Sequence, residues 1–243
     1  MTTARLRLLG SPELCNADTK KTVRFAYSKL ILLLAYLALE HKVHTREALA
    51  DLFWPGLADE DARANLRRAL FNLQKAFIQA GLPKSLIHAD RNAIALSKEY
   101  FWIDVFEFEY EKDVNPRCMA MINLHLELYK GMFLDGISPV NSDLADWLQN
   151  RRTRYERKNV LLLERAISLA AEVDDFDVIE RRCRQLVMVD CTNELAHSSL
   201  IRMYVKLGQE IVARKIYRTY HDTLQLQLGI APSQQLAAFL DQV

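Results

Sequence analysis

The sequence predicts a mainly α-helical protein, in which a small N-terminal α+β part is followed by a longer part built of helices alone. Half of the 243 residues are apolar and 26% are charged, a balance typical of a folded globular chain and not of a disordered one. The chain has only 7 Gly and 6 Pro, too few turn residues for an all-β sandwich or barrel. Segments with period-two alternation lie in the first part of the chain, and helical periodicity dominates the rest.

The N-terminal part has the predicted order β, β, α, α, α, β, β. Alternation of apolar and polar residues indicates early strands at residues 5–8 and 22–25, and later strands at residues 94–96 and 101–105. Between them, side chains that commonly cap helix N-termini precede three helical segments. These predicted helices are residues 28–39 behind a Ser28 cap, 45–53 behind a Thr45 cap and 59–79 behind an Asp59 cap.

From about Asp104 onward the sequence shows no convincing strand, and helical windows follow one another with short connections. The alternation of Phe106, Phe108 and Tyr110 also fits a strand, but Asp104 is a suitable cap and favours a helix there. We therefore expect one domain over residues 1–103 and an all-α domain over residues 104–243. The predicted helices of the second domain cover residues 105–111, 116–129, 143–171, 176–188, 194–206, 209–227 and 233–240.

The second domain contains a weak internal repeat. Around the turn residue Gly208, Tyr204, Ala213 and Tyr217 have the spacing of a tetratricopeptide motif. Moving back by 34 residues gives a looser copy, formed by Ala170, Asp174, Ile179 and Cys183. This pattern indicates a short array of helical repeats, although an ordinary helical bundle remains an alternative.

The predicted helix at residues 59–79 has two different faces. Its apolar residues converge on one stripe, which we expect to face the core: Ala62, Leu66, Ala69, Leu70, Leu73 and Phe77. The opposite face is cationic and carries Ala64, Arg67, Arg68, Phe71 and Lys75, flanked by Arg63 and Asn72. Such a face suits the major groove of DNA, but any surface helix can also show a charged outer face. The acidic first turn would repel phosphate, so we expect the DNA-facing part to begin near Arg63.

The context of this helix favours DNA binding. Two short helices precede it, and residues 86–88 and 93–96 are predicted to form a hairpin around Asp90, Arg91 and Asn92, which is the layout of a winged helix-turn-helix. Arg91 lies at the tip of the wing, where it could enter the minor groove. Helix starts that can hold phosphate carry Lys29, Thr45 and Arg46. Residues 1–110 hold 15 Lys+Arg and 13 Asp+Glu, a weak positive charge that predicts modest affinity for each protomer.

Both halves of the chain resemble the antibiotic-regulatory type of bacterial activator, the SARP family. The winged helix of that family is similar to residues 49–55 (LADLFWP) and 62–70 (ARANLRRAL). Its bacterial transcriptional activation domain resembles residues 129–134 (YKGMFL), 193–197 (NELAH) and 228–233 (LGIAPS), together with Trp147, Leu148, Arg151, Arg154, Gly208, Ala213 and Tyr217. The resemblance implies a winged helix whose third helix reads the major groove, a tetratricopeptide-like domain, binding to direct repeats beside a promoter, and recruitment of RNA polymerase.

The chain also departs from the family pattern. Cys191 stands where the repeat usually has Pro, and Gln225 and Gln227 replace acidic residues that are common before Leu-Gly. These changes put the partner surface of the helical domain in doubt more than the DNA contacts. Many relatives carry a further nucleotide-binding or sensory module, so we expect either a short-form regulator or the front part of a longer one.

Other functions have little support in the sequence. It has no Gly-rich phosphate loop, nucleophile elbow or His-Glu-x-x-His motif, so we expect neither an enzyme nor a cofactor. His41 and His44 do not share one helical face, and a solvated or structural role is favoured over a metal site. The longest apolar run, residues 30–39, is too short to span a bilayer, and no export signal is visible, so we expect a cytoplasmic protein.

The leading hypothesis is a DNA-binding transcription activator. We expect Arg67, Arg68 and Asn72 to contact bases, with Phe71 at a thymine methyl, and Arg63, Lys75 and Arg91 to contact phosphates or the minor groove. The expected partners are double-stranded DNA, further protomers on DNA and RNA polymerase. The alternative is an adaptor that uses its tetratricopeptide-like domain, with the winged helix as a docking surface. A third reading adds control by a small-molecule effector, which no phosphate loop or aromatic cage supports.

Overall fold

The computed structural model describes residues 3–40, 42–91, 93–110 and 118–242. The chain forms two compact units. The first contains Met1–Tyr110 and Leu128–Glu156, and the second contains Glu111–Glu127 and Arg157–Val243. The predicted domain boundary after residue 103 refers to sequence modules and not to these compact units, and it stays a prediction.

The first unit begins with a small mixed sheet of order β2-β1-β6, formed by β1 (Ala4–Arg7), β2 (Glu13–Asn16) and β6 (Phe101–Ile103). β1 is antiparallel to β2 and parallel to β6. The prediction of a strand at residues 22–25 is wrong, because Thr22 makes only an isolated bridge to Cys15. The antiparallel edge of β1 is already taken by β2, which buries Leu14 and Asn16 against the core.

Three helices and a second sheet follow, and they differ from the predicted order by one short strand between the first and second helices. The helices are α1 (Ser28–Leu39), α2 (Arg46–Phe53) and α3 (Asp59–Gln79). The second sheet has the order β3-β5-β4 and contains β3 (His44–Thr45), β4 (Ile87–Ala89) and β5 (Ala93–Leu96). Short 3-10 turns at Lys84–Leu86 and Lys98–Tyr100 precede β4 and β6. Helices followed by the β4–β5 hairpin form the predicted winged helix-turn-helix.

One of the three predicted helix caps is confirmed. The Thr45 side chain accepts a hydrogen bond from the backbone N–H of Ala48 at the start of α2. The predicted caps Ser28 and Asp59 are wrong, since the N-cap residues are Tyr27 and Ala58 and neither makes a side-chain cap bond. Burial along most of α1 fixes that helix by packing, and the acidic first turn of α3 stabilises its N-terminus through the helix dipole.

Asp104 has a larger role than the predicted cap. It is the first residue of α4 (Asp104–Glu109), which confirms a helix over the alternative strand, and the N-cap residue is Ile103. The carboxylate is 2% exposed. Its oxygens accept backbone hydrogen bonds from Leu8 (2.9 Å), Leu9 (3.0 Å) and Val105 (2.8 Å). Asp104 therefore ties the end of β1 to the start of α4.

Residues 128–156 complete the first unit, and the N-terminal part of α6 (Ser142–Glu172) contacts α1 through the rings of Trp147 and Tyr36. Glu40, just after α1, accepts hydrogen bonds from the indole N–H of Trp147 and from Arg151, both at 2.8 Å. Arg152 donates to three backbone carbonyls, two of them at Phe133 and Leu134, which fixes the preceding loop.

The helices of the second part of the chain agree closely with the prediction. They are α5 (Met119–Leu128), α7 (Phe176–Val189), α8 (Glu194–Lys206), α9 (Glu210–Leu228) and α10 (Gln234–Asp241). The helix predicted at residues 116–129 corresponds to α5, and its predicted start at residue 116 lies outside the described residues. Within the described residues, no helix is long and apolar enough to span a bilayer.

The repeat pattern is visible in this helical part. Gly208 and its counterpart Asp174 both adopt the left-handed conformation, with φ of 69° and 52°. Ala213 and its counterpart Ile179 are both buried, at 0% and 4% exposure, whereas Tyr204 and Tyr217 are half-buried at the positions that match the buried Ala170 and Cys183. Turn and core positions therefore recur at the spacing of a tetratricopeptide repeat, and the all-α part is tetratricopeptide-like.

Candidate nucleic-acid interface

The α3 helix presents a buried face and a cationic face, as its sequence predicts. The residues of the apolar stripe are all buried, and Ala76 joins them. On the opposite face, Phe71 and four cations are exposed, namely Arg63, Arg67, Arg68 and Lys75, and Asn72 is half-buried. The core thus fixes the rotation of α3 and directs its cationic face outward.

Large apolar side chains accompany the cations on this face. Phe71 is 65% exposed, and Ile78, two turns further along the same face, is 59% exposed. Exposed aromatic and aliphatic side chains beside fixed cations are typical of interaction surfaces. The sequence analysis missed Ile78, although its spacing of seven residues from Phe71 places it on the same face.

Arg63 is held by two carboxylates. Its Nη2 lies 3.5 Å from Glu47 Oε1 on α2 and 4.0 Å from Asp59 Oδ2 one turn earlier on α3. The Arg63 side chain remains 48% exposed, and such surface ion pairs are weak enough for a phosphate to compete with them. The sequence analysis missed both carboxylates, although the spacing of four residues between Asp59 and Arg63 is a known signal for a helical ion pair.

The turn of the wing is attached to the start of α2. Arg46 Nε donates a hydrogen bond of 2.6 Å to the backbone carbonyl of Asp90. The Asp90 carboxylate accepts from the Ala93 N–H at 2.8 Å, and Thr45 pairs with Ala93 across β3 and β5. Arg91 is exposed at this turn, and its neighbour Asn92 lies outside the described residues. The structure thus brings Thr45, Arg46 and Arg91 into one region.

Lys29 has a structural contact that the sequence did not predict. It is half-buried, and its Nζ donates to the carbonyl of Phe53 at 3.1 Å, where α2 ends. The same ammonium lies 5.1 Å from the centroid of the Trp54 ring. Burial lowers the pKa of Lys29. The predicted contact of Lys29 with phosphate stays a prediction.

An aromatic cluster supports the helices behind this surface. Tyr36 on α1 contacts the rings of His44, Phe53 and Trp147, at centroid distances of 5.3, 5.8 and 5.3 Å. His44 is buried, and burial lowers its pKa, so this side chain is a neutral core residue. Among the described residues no group of three or more potential metal ligands occurs, and His41 lies outside them.

The comparisons with known proteins decide the family. The family model of the bacterial transcriptional activator domain matches residues 111–243. The chain belongs to this family. No curated protein matches the sequence significantly.

The fold of this family member is shared with a solved structure. The structure of Mycobacterium tuberculosis EmbR in complex with a low affinity phosphopeptide matches with a TM-score of 0.69 and 21% sequence identity. The match covers 100% of this chain and 65% of that one, so the chain spans about two thirds of the length of EmbR. Family and fold are those of SARP-type bacterial transcriptional regulators, and not those of enzymes.

Proposed function

We propose that this family member is a sequence-specific DNA-binding activator that reads the major groove with the outer face of α3. The observation that carries this proposal is the exposed set of Arg67, Arg68 and Phe71 on a helix whose opposite face is buried. An α-helix fits the major groove, where base edges carry the sequence information. The neighbouring wing supplies a second point of contact, as winged helices require.

Each residue of the surface has a proposed role. Arg67 and Arg68 fork onto guanine, Asn72 pairs with adenine, and Phe71 meets a thymine methyl group. Contacts to phosphate or the minor groove are assigned to Arg63, Lys75, Arg91, Lys29, Thr45 and Arg46. The acidic first turn of α3 points away from the duplex, so the contacts begin near Arg63.

We further propose how this surface leads to activation. The near-neutral N-terminal part gives each protomer modest affinity, so two or more protomers bind side by side on direct repeats. The tetratricopeptide-like helices then contact neighbouring protomers or RNA polymerase. Promoter DNA lies in the bacterial cytoplasm, and we expect the protein there.

A comparison of two substitutions tests the reading face. Arg68→Ala should weaken binding to a cognate site by about 1 to 3 kcal/mol and relax its sequence preference, because a base contact is lost. Lys75→Ala should weaken binding to all sequences alike, because a phosphate contact carries no sequence information. Arg157→Ala removes an exposed cation on α6 and serves as the matched control. Equal losses for Arg68→Ala and Lys75→Ala on every sequence would refute the assignment.

The adaptor function remains the second candidate, and the near-neutral charge favours it. Salt separates the two candidates, since neutralised phosphates release counterions and DNA affinity must then fall steeply as salt rises. DNA binding that does not respond to salt would support the adaptor.

A further inference from the structure

A second surface of the molecule lies among the helices of the second unit, apart from α3. A groove of about 580 Å³ runs between α7 and α9, with α8 as its floor. Its volume is in the range of known binding sites, and its lining is mainly apolar. Its lining includes Arg184, Met188, His197, Leu200, Val212 and Lys215.

The walls of this groove expose side chains that a folded protein normally covers. Met188 on α7 is 88% exposed, and Val212 on α9 is 37% exposed. Between them, Leu200 of α8 forms an apolar floor. A methionine at the rim can adapt to the shape of an apolar partner, because its side chain is flexible and polarisable.

The charge of the groove is positive. Arg184 and Lys215 are its charged lining residues, and none of the lining residues that the structure describes is a carboxylate. Arg184 is paired with Glu180 at 2.6 Å, outside the lining. In the described part of the chain, no hydrogen bond or ion pair engages the ammonium of Lys215, which leaves one uncompensated positive charge beside the apolar walls. This charge favours an acidic partner.

His197 adds a buried polar atom without a partner. The side chain is 6% exposed, stacks on Tyr220 at 4.2 Å and lines the groove. Its Nε2 lies 3.0 Å from the carbonyl oxygen of Cys191, to which it donates, so Nδ1 is an acceptor in the neutral ring. Nδ1 is buried and has no hydrogen-bond partner among the described residues. Surrounding atoms cover Nδ1, so His197 is part of the groove lining and no ligand contact is assigned to this atom.

We propose that the groove between α7 and α9 binds an acidic amphipathic helix of a partner protein. The apolar face of that helix packs on Met188, Leu200 and Val212, and an acidic side chain pairs with Lys215. The inference deepens the proposed contact of the helical part with other proteins by naming the surface, and it does not depend on how DNA is read.

Fluorescence anisotropy with the full chain and a designed peptide tests the proposal. The probe is a labelled amphipathic helix with Leu and Trp on one face and Glu on its flanks, and a second peptide carries Lys in place of every Glu. The acidic peptide should bind at least about tenfold more tightly than the basic one.

Three variants locate the site. Met188→Glu and Lys215→Glu should each weaken binding of the acidic peptide by about tenfold or more, since both place a carboxylate beside its acidic flank. Ile211→Glu is the matched control, because Ile211 is also an exposed residue of α9, at 87%, but does not line the groove. The affinity of Ile211→Glu for the acidic peptide should stay within about twofold of that of the unchanged protein. All three positions are exposed, so the variants should fold, which far-ultraviolet circular dichroism verifies.

Several results would overturn the proposal. These are no binding of the acidic peptide, equal binding of both peptides, or an equal loss in Ile211→Glu and Met188→Glu. A dimer in sedimentation equilibrium that Met188→Glu dissociates would also overturn it, because the occupant would then be a second copy of this chain. The assays contain no DNA, so their failure leaves the proposed DNA reading unaffected.

Discussion

Replacing Asp104 with Asn should destabilise the first unit, although the two side chains have nearly the same shape. The Asp104 carboxylate accepts backbone N–H groups from Leu8, Leu9 and Val105, with both of its oxygens engaged. An Asn side chain offers one oxygen and one NH₂ group. In either orientation, the NH₂ group faces at least one backbone donor that loses its acceptor.

The magnitude follows from this lost bond. Leaving one buried donor unsatisfied costs about 1 to 3 kcal/mol, and hydrogen bonds to a charged acceptor lie at the upper end. At 2% exposure, water cannot replace the acceptor without opening the end of β1. We therefore expect about 2 kcal/mol of destabilisation at pH 7.

The same substitution should change the pH dependence of stability. Burial raises the pKa of Asp104 from 3.8 to about 6, against the opposing effect of its backbone hydrogen bonds. A raised carboxyl pKa means that the folded state binds the proton more tightly, so this group contributes stability below pH 3.8 that is lost as pH rises to about 6. The difference in stability between the unchanged protein and Asp104→Asn should thus be larger at pH 5 than at pH 7, by about 1 kcal/mol.

Urea unfolding at the two pH values measures both effects. Asp143→Asn, at an exposed position in the first turn of α6, is the control and should change stability by less than about 0.5 kcal/mol. An Asp104→Asn protein as stable as the unchanged one would refute the role of this carboxylate as a hydrogen-bond acceptor, and a loss that grows from pH 5 to pH 7 would refute its raised pKa.

Three further perturbations test the fold. Glu40→Ala should lower the free energy of unfolding by about 1 to 3 kcal/mol, because it removes the acceptor of both Trp147 and Arg151. Glu40→Gln keeps an acceptor oxygen and should lower it less. Urea unfolding compares the two variants, and equal losses of stability would contradict the account. Residues 1–103 alone should lack the cooperative thermal transition that residues 1–156 retain, because Asp104 and Trp147 are missing; a cooperative transition in the shorter fragment would contradict this. Gly208→Ala should lower stability by about 1 kcal/mol, since φ is 69° there, and no change in melting temperature would be the contrary result.

The sequence predicted most helices because their periodicity and turn residues are local. α8 coincides with its predicted bounds, and the left-handed Asp174 occupies the position that the repeat of Gly208 indicates. The burial pattern of α3 was likewise predictable. With 3.6 residues per turn, Leu66 and Arg68 lie on opposite faces of the helix, whichever element packs against it.

Apart from the two wrong helix caps, the errors concern features that depend on distant residues. Residues 22–25 alternate in the sequence and residues 13–16 do not, so pairing with β1, and not a local pattern, makes Glu13–Asn16 the strand. The role of Asp104 depends on Leu8 and Leu9, and that of Glu40 depends on Trp147, at separations of about a hundred residues. No local pattern marks such pairs. For the candidate interface, the exposed cations of α3 were predictable, but the carboxylates that hold Arg63 and the carbonyl that holds Arg46 were not identified.

Selection of bound fragments from random genomic DNA tests the central claim, that the outer face of α3 reads DNA sequence. The selection is run at about 0.15 M salt, where non-specific binding is weakened, with the unchanged protein, Arg68→Ala and Arg157→Ala. The account predicts enrichment of a spaced direct repeat by the unchanged protein and by Arg157→Ala, and loss of that enrichment in Arg68→Ala. No enrichment above bulk DNA, or the same enriched sequence in Arg68→Ala, would contradict the account.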